Sequence, residues 1–129
     1  MNESATAVVT ILLVEDSDDG RHVLKLSLEA NGYRVTEAHD GHEAVRVARE
    51  GCPDLILMDL NLPEMDGLAA AKLIRECREP CQDAPIVAVT AFDTYGMREA
   101  AAEAGCDAYL LKPLALDELE AVVAALLVD

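Results

Sequence analysis

The stretch Leu55-Ile56-Leu57-Met58-Asp59 places four apolar residues in direct succession before a carboxylate. A short unbroken apolar run is typical of a strand covered on both faces, as in a parallel sheet between two layers of helices. Turn-forming residues occupy positions 61–67, and a helix is predicted from there to about Arg78. This segment therefore predicts a central strand that carries Asp59 to the edge of a sheet.

The same alternation of apolar strand and amphipathic helix occurs along the rest of the chain. Strands are predicted at residues 8–14, 33–38, 55–59, 86–89 and 108–111. Ser17 and Asp40 are predicted to cap the first and second helices, the fourth helix to lie within 95–104, and the fifth to span 116–127. The pattern predicts an α/β fold, a flavodoxin-like (βα)5 doubly wound parallel sheet with strand order 2-1-3-4-5. We assign residues 1–9 to a short N-terminal extension and residues 10–129 to one domain.

Composition excludes several classes of function. The chain has 129 residues, and its 10 Lys and Arg against 25 Asp and Glu give a formal charge of -15. This charge repels nucleic acid and anionic lipid, so we expect neither as a direct partner. We expect a cytoplasmic protein, because no apolar run is long enough to span a membrane and no basic leader precedes the first strand. The cysteines are not spaced as zinc ligands, and we expect free thiols at all four positions, Cys52, Cys77, Cys81 and Cys106.

Polar side chains follow four of the predicted strands. They are Glu15, Asp16, Asp59, Thr90 and Lys112. In an open parallel sheet the carboxyl ends of the strands share one edge, where ligands bind. Three carboxylates placed together repel one another unless a cation compensates, and their oxygen atoms suit Mg²⁺. A carboxylate beside a metal, a lysine and a hydroxyl can act as a nucleophile toward a phosphoryl group, and Asp59 on the central strand is our candidate.

Each of these residues also has an ordinary structural interpretation. Acids after strands often cap helices, which we favour for Ser17, Asp18 and Asp19. Thr90 alone could be a strand-end hydroxyl, and Lys112 alone a solvated charge. Their joint placement at different strand ends favours a functional site.

The motifs resemble the receiver domain of bacterial two-component response regulators over nearly the whole chain. The resemblance rests on four segments: Ile11-Leu12-Leu13-Val14-Glu15-Asp16, the run from Pro53 to Gly67, Val89-Thr90-Ala91, and Tyr109-Leu110-Leu111-Lys112-Pro113. It implies that Asp59 accepts a phosphoryl group from a sensor histidine kinase or a histidine phosphotransfer protein. It also implies Mg²⁺ binding by Asp16, Asp59 and the main-chain carbonyl of Asn61, with Glu15 acting largely through water.

The resemblance implies further roles for the residues around the acceptor. Thr90 and Lys112 would hold the phosphoryl oxygens, and the Lys112-Pro113 bond would be cis. Phosphorylation would draw Thr90 inward and let Tyr109 follow, which would remodel the surface of the fourth helix, fifth strand and fifth helix. Asn61 and Phe92 would tune the lifetime of the phosphoryl group.

The expected partners are proteins. The chain would dock onto a downstream protein target as a free-standing receiver, as a monomer or a phosphorylation-dependent dimer, and would not turn over an independent substrate. A haloacid dehalogenase-type phosphatase is an alternative, but Asn61 stands where that family has an acid. A nucleotide or flavin module would need glycines where this chain has Glu15 to Asp19, and a phosphorylation-independent scaffold would have lost part of the acceptor set.

Overall fold

One sheet of five parallel strands runs through the molecule. The strands are β1 (Thr10–Val14), β2 (Arg34–Ala38), β3 (Leu55–Asp59), β4 (Ile86–Thr90) and β5 (Ala108–Leu111). They lie in the order β2-β1-β3-β4-β5, which confirms the predicted topology. The structure is a computed structural model that describes residues 8–62, 65–76, 83–92 and 94–127.

Five helices connect and follow the strands. They are α1 (Asp18–Ala30), α2 (Gly41–Gly51), α3 (Gly67–Glu76), α4 (Met97–Ala104) and α5 (Leu116–Leu126). The predicted caps of the first two helices are confirmed, because Ser17 accepts a hydrogen bond from the Gly20 N–H and Asp40 accepts one from the Glu43 N–H. The end predicted for α3 at Arg78 and the first three residues of the predicted 80–85 loop lie outside the described residues.

Several element boundaries differ from the predicted ones by one or two residues. Strand β1 starts at Thr10 rather than residue 8, β2 starts at Arg34 rather than residue 33, β4 ends at Thr90 rather than residue 89, and α5 ends at Leu126 rather than residue 127. Helix α4 lies within the predicted range of residues 95–104, and it starts after Gly96, whose φ of 82° lies in the left-handed region. None of the differences moves a candidate site residue.

Alternate residues of each central strand face opposite hydrophobic layers. Leu12 and Val14 of β1 pack in the layer that includes α2, α3 and α4, while Ile11 and Leu13 pack in the layer that includes α1 and α5. All five residues of β3 are buried. Because both faces are covered, the strand needs apolar side chains at successive positions, which accounts for the unbroken run before Asp59.

The Lys112-Pro113 bond is cis, as predicted. The expectation of free thiols is confirmed for Cys106, whose pKa burial raises to about 11, and is wrong for Cys52, which is disulfide-bonded. The expectation relied on sequence spacing, whereas disulfide formation depends on the proximity of two sulfur atoms in the folded chain. Cys77 and Cys81 lie outside the described residues. Among the helices that the structure describes, none has the length and apolar character needed to cross a bilayer.

Gly67 lets the start of α3 pack directly against the end of β3. A Cβ atom at this position would lie 2.5 Å from the carbonyl oxygen of Asp59 and 2.7 Å from the Leu60 Cα. Both are main-chain atoms that cannot rotate away, so we expect Gly67→Ala to lower the free energy of unfolding by about 1 to 3 kcal/mol or more, as overpacking does. Urea denaturation measures the change.

Gly51 provides the matched control for this substitution. It also lies in a helix, but a Cβ atom there would meet nothing within 4 Å. We expect Gly51→Ala to be neutral or to stabilise the protein by about 0.4 to 1 kcal/mol, through the lower entropy of the unfolded chain. Equal effects of the two substitutions would contradict the close-approach explanation.

Candidate functional site

The sheet brings the predicted polar residues to one edge. Glu15 follows β1, Asp59 and Thr90 end β3 and β4, and Lys112 follows β5. The strands are parallel, so their carboxyl ends converge at this edge, and the order of strands places β3 between β1 and β4. Asp59 therefore lies among the other candidate residues, as the sequence predicted.

Three carboxylates form a compact cluster at this edge. Glu15, Asp16 and Asp59 each offer one oxygen atom, and these atoms lie within 4.8 Å of one another. Glu15 and Asp59 are buried, whereas Asp16 is exposed. All three donors are hard oxygen ligands, two of them inside the protein, which is the chemistry that suits a divalent cation such as Mg²⁺.

Lys112 bridges the two buried carboxylates. Its Nζ donates to Glu15 Oε1 at 2.9 Å and to Asp59 Oδ2 at 3.1 Å. The remaining oxygens accept main-chain hydrogen bonds, Glu15 Oε2 from the Ser17 N–H at 3.2 Å and Asp59 Oδ1 from the Asn61 N–H at 2.9 Å. Each buried acid therefore has two defined donors that fix its orientation.

The pKa of Asp59 is raised above its usual range, and burial is the largest cause. The hydrogen bonds from Asn61 and Lys112 lower this pKa, but they only partly offset burial and the nearby negative charge of Glu15. Burial also lowers the pKa of Lys112, but its hydrogen bonds to Glu15 and Asp59 outweigh this effect, so the pKa of Lys112 is raised. Burial thus disfavours the ionised form of Asp59, and a further cation would offset this effect.

This raised pKa predicts that Asp59 reduces the stability of the metal-free protein. The folded chain binds the Asp59 proton more tightly than the unfolded chain, so stability is lost as pH rises from about 3.8 through the folded pKa. We expect Asp59→Asn, without Mg²⁺, to raise the free energy of unfolding at pH 7 by about 1.4 kcal/mol for each unit of raised pKa. The gain should disappear at pH values below the unfolded pKa. Urea titrations of both proteins across pH measure it, and a variant that is less stable at pH 7 would contradict the assignment.

Thr90 is fully buried and makes two hydrogen bonds that use its hydroxyl. Its Oγ1 donates to Asn61 Oδ1 at 2.8 Å and accepts from the Phe92 N–H at 3.0 Å. The Phe92 carbonyl, at 3.3 Å, is a longer alternative acceptor for the same hydrogen. The resemblance predicted that Asn61 and Phe92 tune the lifetime of the phosphoryl group. Their side chains differ in position, because that of Asn61 contacts Thr90 and that of Phe92 is exposed.

Tyr109 lies on β5 with its side chain partly buried against α4. The guanidinium carbon of Arg98, on α4, lies 4.5 Å from the centre of the Tyr109 ring, within the range of a cation-π contact. Like Met97 and Cys106, Tyr109 packs against the hydrophobic layer that includes α2, α3 and α4. Tyr109 therefore links β5 to α4, the surface that the sequence analysis expected to change.

Sequence reasoning missed one buried charge next to this site. Arg21 projects from α1 with its side chain only 9% exposed, and its Nη1 donates to the main-chain carbonyl of Glu15 at 2.8 Å. Arg21 is three and seven residues before Leu24 and Leu28, so it lies on the apolar face of α1. A cation on an apolar helix face requires buried polar partners. The position of Arg21 in the apolar pattern of α1 was therefore the signal that could have identified it.

Comparison with known proteins identifies the family. The family model for the response regulator receiver domain matches residues 11–124. The response regulator MprA of Mycobacterium ulcerans is 43% identical over 119 residues, which cover 92% of this chain and 50% of MprA. The chain spans about half the length of the curated relatives that it matches.

Solved structures agree with this assignment. The receiver domain of a sensor histidine kinase from Pseudomonas aeruginosa is 40% identical, with a TM-score of 0.86 and coverage of 94% of this chain and 98% of that one. That structure has a magnesium ion coordinated in its active site cleft. Vibrio cholerae chemotaxis protein CheY4 is 27% identical, also with a TM-score of 0.86, and the match covers 93% of this chain and 99% of that one. Sequence, topology and site together show that the chain belongs to the response regulator receiver domain family.

Proposed function

We propose that Asp59 accepts a phosphoryl group from a sensor histidine kinase or a histidine phosphotransfer protein. The observation that carries this proposal is the position of Asp59, a buried carboxylate in contact with Lys112 and adjacent to two further acids. The candidate metal ligands are Glu15, Asp16, Asp59 and the main-chain carbonyl of Asn61. When bound there, Mg²⁺ supplies positive charge for the carboxylates and the phosphoryl oxygens.

The transfer needs little from the protein beyond positioning and charge. A carboxylate oxygen of Asp59 forms the new bond to phosphorus, and the bond from phosphorus to the donor imidazole nitrogen breaks with its electron pair going to nitrogen. Lys112 already points its ammonium at Asp59 and can neutralise an incoming phosphoryl oxygen. The chain consumes no independent substrate in this step, so the acceptor is the protein itself.

The proposed response to phosphorylation passes through Thr90. A hydroxyl has one hydrogen to donate, so Thr90 must release Asn61 Oδ1 before it can donate to a phosphoryl oxygen. Movement of Thr90 changes the packing that Tyr109 meets, and Tyr109 contacts Arg98 of α4. We propose that the surface formed by α4, β5 and α5 changes in this way and binds the downstream protein target.

A groove of about 490 Å³ borders the site between α1 and the segment that follows β5. Two site residues, Glu15 and Lys112, line it together with Val23 and Leu116, whose apolar side chains are 55% and 41% exposed. A protein donor must cover this edge to bring a phosphohistidine to Asp59. We propose that the donor packs on this groove.

This placement predicts a selective effect of a charge at Val23. Val23→Glu puts a carboxylate into the apolar part of the groove, so phosphoryl transfer from a histidine phosphotransfer protein should slow by about 10-fold or more, the effect of a loss of at least 1.4 kcal/mol of docking energy. Uptake from acetyl phosphate should stay unchanged, because a small donor needs no docking surface. Equal rates with the protein donor for the variant and wild type would contradict the docking proposal.

Incubation with acetyl phosphate, with and without Mg²⁺, tests the proposed function. Intact-mass spectrometry should show one added phosphoryl group only when Mg²⁺ is present, and peptide mapping should place it on Asp59. Amide NMR shifts induced by beryllofluoride should extend from Asp59 to α4 and β5. Uptake that does not depend on Mg²⁺, or that occurs at another residue, would contradict the proposal.

Family membership supports a cytoplasmic location. The family match over residues 11–124 supports a domain over residues 10–129, preceded by a short extension over residues 1–9. The oligomeric state is proposed to be monomeric, or dimeric after phosphorylation.

A further inference from the structure

We infer that Arg21 is a positioning residue for the metal site, acting through the peptide unit that joins Glu15 to Asp16. The inference rests on the proposed function, because it concerns the same carboxylates. Arg21 Nη1 donates to the Glu15 carbonyl oxygen at 2.8 Å, and this hydrogen bond is buried. A peptide unit is planar, so a bond that holds the Glu15 carbonyl also fixes the orientation from which the Asp16 side chain starts.

The guanidinium that makes this bond is itself held from two other directions. Its Nε donates to Glu37 Oε1 at 3.0 Å, and its Nη2 donates to the Asp18 carboxylate. Lys25 Nζ donates to the second oxygen of Glu37 at 3.1 Å, which fixes that carboxylate in turn. A planar guanidinium with three occupied directions has little freedom to rotate, so the Glu15 carbonyl meets a rigid donor.

The main chain on the other side of Glu15 is also fixed. The Glu15 N–H donates to the Ala38 carbonyl at the end of β2, at 3.1 Å. The strand ladder therefore holds one side of the residue and Arg21 holds the other. Loss of the Arg21 contact would remove the hydrogen bond that holds the peptide unit between Glu15 and Asp16, while β1 stays in place.

The direction in which Mg²⁺ affinity changes when Arg21 is replaced distinguishes a positioning role from an electrostatic one. Arg21 carries a positive charge near the acidic cluster, so a purely electrostatic role predicts that Arg21→Met binds Mg²⁺ more tightly. A role in general stability alone predicts unchanged affinity among folded molecules. Positioning predicts weaker binding, by about 10-fold or more, as for other groups that orient metal ligands.

Arg75 offers a matched control at the opposite edge of the sheet. Its guanidinium also binds main-chain carbonyls, those of Ala84 and Gly105 at 2.7 Å, and a carboxylate, that of Asp107 at 2.8 Å. These partners precede β4 and β5, so they lie at the amino ends of the strands, away from the acidic cluster. We expect Arg75→Met to destabilise the protein as Arg21→Met does, but to leave Mg²⁺ affinity unchanged.

The experiment is a Mg²⁺ titration of wild type, Arg21→Met, Arg21→Lys and Arg75→Met. The amide NMR shifts of Asp59 and Leu60 report the binding. Unfolding free energies of the same proteins are measured separately in urea. Weaker Mg²⁺ binding by Arg21→Met, with wild-type affinity for Arg75→Met, supports the inference. Unchanged or tighter binding by Arg21→Met, or an equal loss in both variants, overturns it.

Arg21→Lys keeps the charge but cannot make all three contacts of the guanidinium in their fixed geometry, so it decides the question if Arg21→Met does not fold. We expect its Mg²⁺ affinity to fall between those of wild type and Arg21→Met, and wild-type affinity for Arg21→Lys would then overturn the inference. Failure of wild type itself to bind Mg²⁺ would contradict the proposed function and the inference with it. If wild type binds Mg²⁺ and the Arg21 variants bind it with the same affinity, the inference is contradicted and the proposed function is not.

Discussion

We expect Asp59→Asn incubated with acetyl phosphate and Mg²⁺ to gain no phosphoryl group, whereas wild type should gain one. The amide of Asn has almost the shape of the carboxylate, and its single oxygen can still accept from the Asn61 N–H, although its NH₂ group cannot accept from Lys112. It lacks the negative charge and the nucleophilic oxygen that form a bond to phosphorus. The expected effect is therefore loss of uptake in a folded protein, with the incorporation measured by intact-mass spectrometry.

Asp54, at the other end of the same strand, supplies the control. Asp54 immediately precedes β3, whereas Asp59 ends it, and the exposed carboxylate of Asp54 accepts from the Thr10 N–H at 2.8 Å. Asp54→Asn makes the same chemical change and keeps an oxygen for Thr10, so its phosphoryl uptake should match that of wild type. Residual Mg²⁺-dependent uptake by Asp59→Asn would show that another residue accepts the phosphoryl group.

We expect Lys112→Met to slow phosphoryl uptake on the order of 100-fold, the effect of losing one charged donor to a developing oxyanion. Met fills a similar volume but cannot donate to Glu15 or to Asp59. The variant should still bind Mg²⁺, because its three acidic side chains remain. Rates measured at saturating Mg²⁺ isolate this effect, and a rate within a factor of two or so of wild type would contradict the proposed role.

Lys112→Met should also lower the free energy of unfolding by an amount that depends on pH. Without the Lys112 hydrogen bond, the pKa of Asp59 rises further, and two buried acids lose their shared cation. We expect metal-free Lys112→Met to be less stable than wild type by about 1 to 3 kcal/mol at pH 7. The deficit should shrink as pH falls through the Asp59 pKa, because a protonated acid needs no cation. A deficit that stays constant down to pH 3, below the ordinary pKa of about 3.9 for Asp, would assign the loss to packing instead.

The fold followed from sequence because its signals are local and repeated. The unbroken apolar run of β3, the Ser17 and Asp40 caps and the polar residues after the strands all depend on near neighbours in the chain. The shared edge of a parallel sheet then brings distant residues such as Glu15 and Lys112 together without further information. Fold, strand order and the clustering of site residues were therefore predictable.

The contacts that sequence did not reveal depend on where side chains point. The hydrogen bond from Arg21 to the Glu15 carbonyl joins residues only six positions apart. Its prediction nevertheless requires knowledge of how α1 packs on β1 and β2. The Thr90 bond to Asn61 joins residues 29 positions apart, and either residue could have met another partner. The state of Cys52 likewise depends on three-dimensional distance. These contacts are determined by the packing of the whole structure and not by local sequence propensity.

In the proposed response to phosphorylation, the hydroxyl of Thr90 would also limit the states that the molecule can adopt. Its single hydrogen atom can be donated fully either to Asn61 or to a phosphoryl oxygen, so an intermediate arrangement would satisfy neither oxygen. Such a switch would have two positions and no continuous range between them. A graded output in the cell would then come from the number of switched molecules.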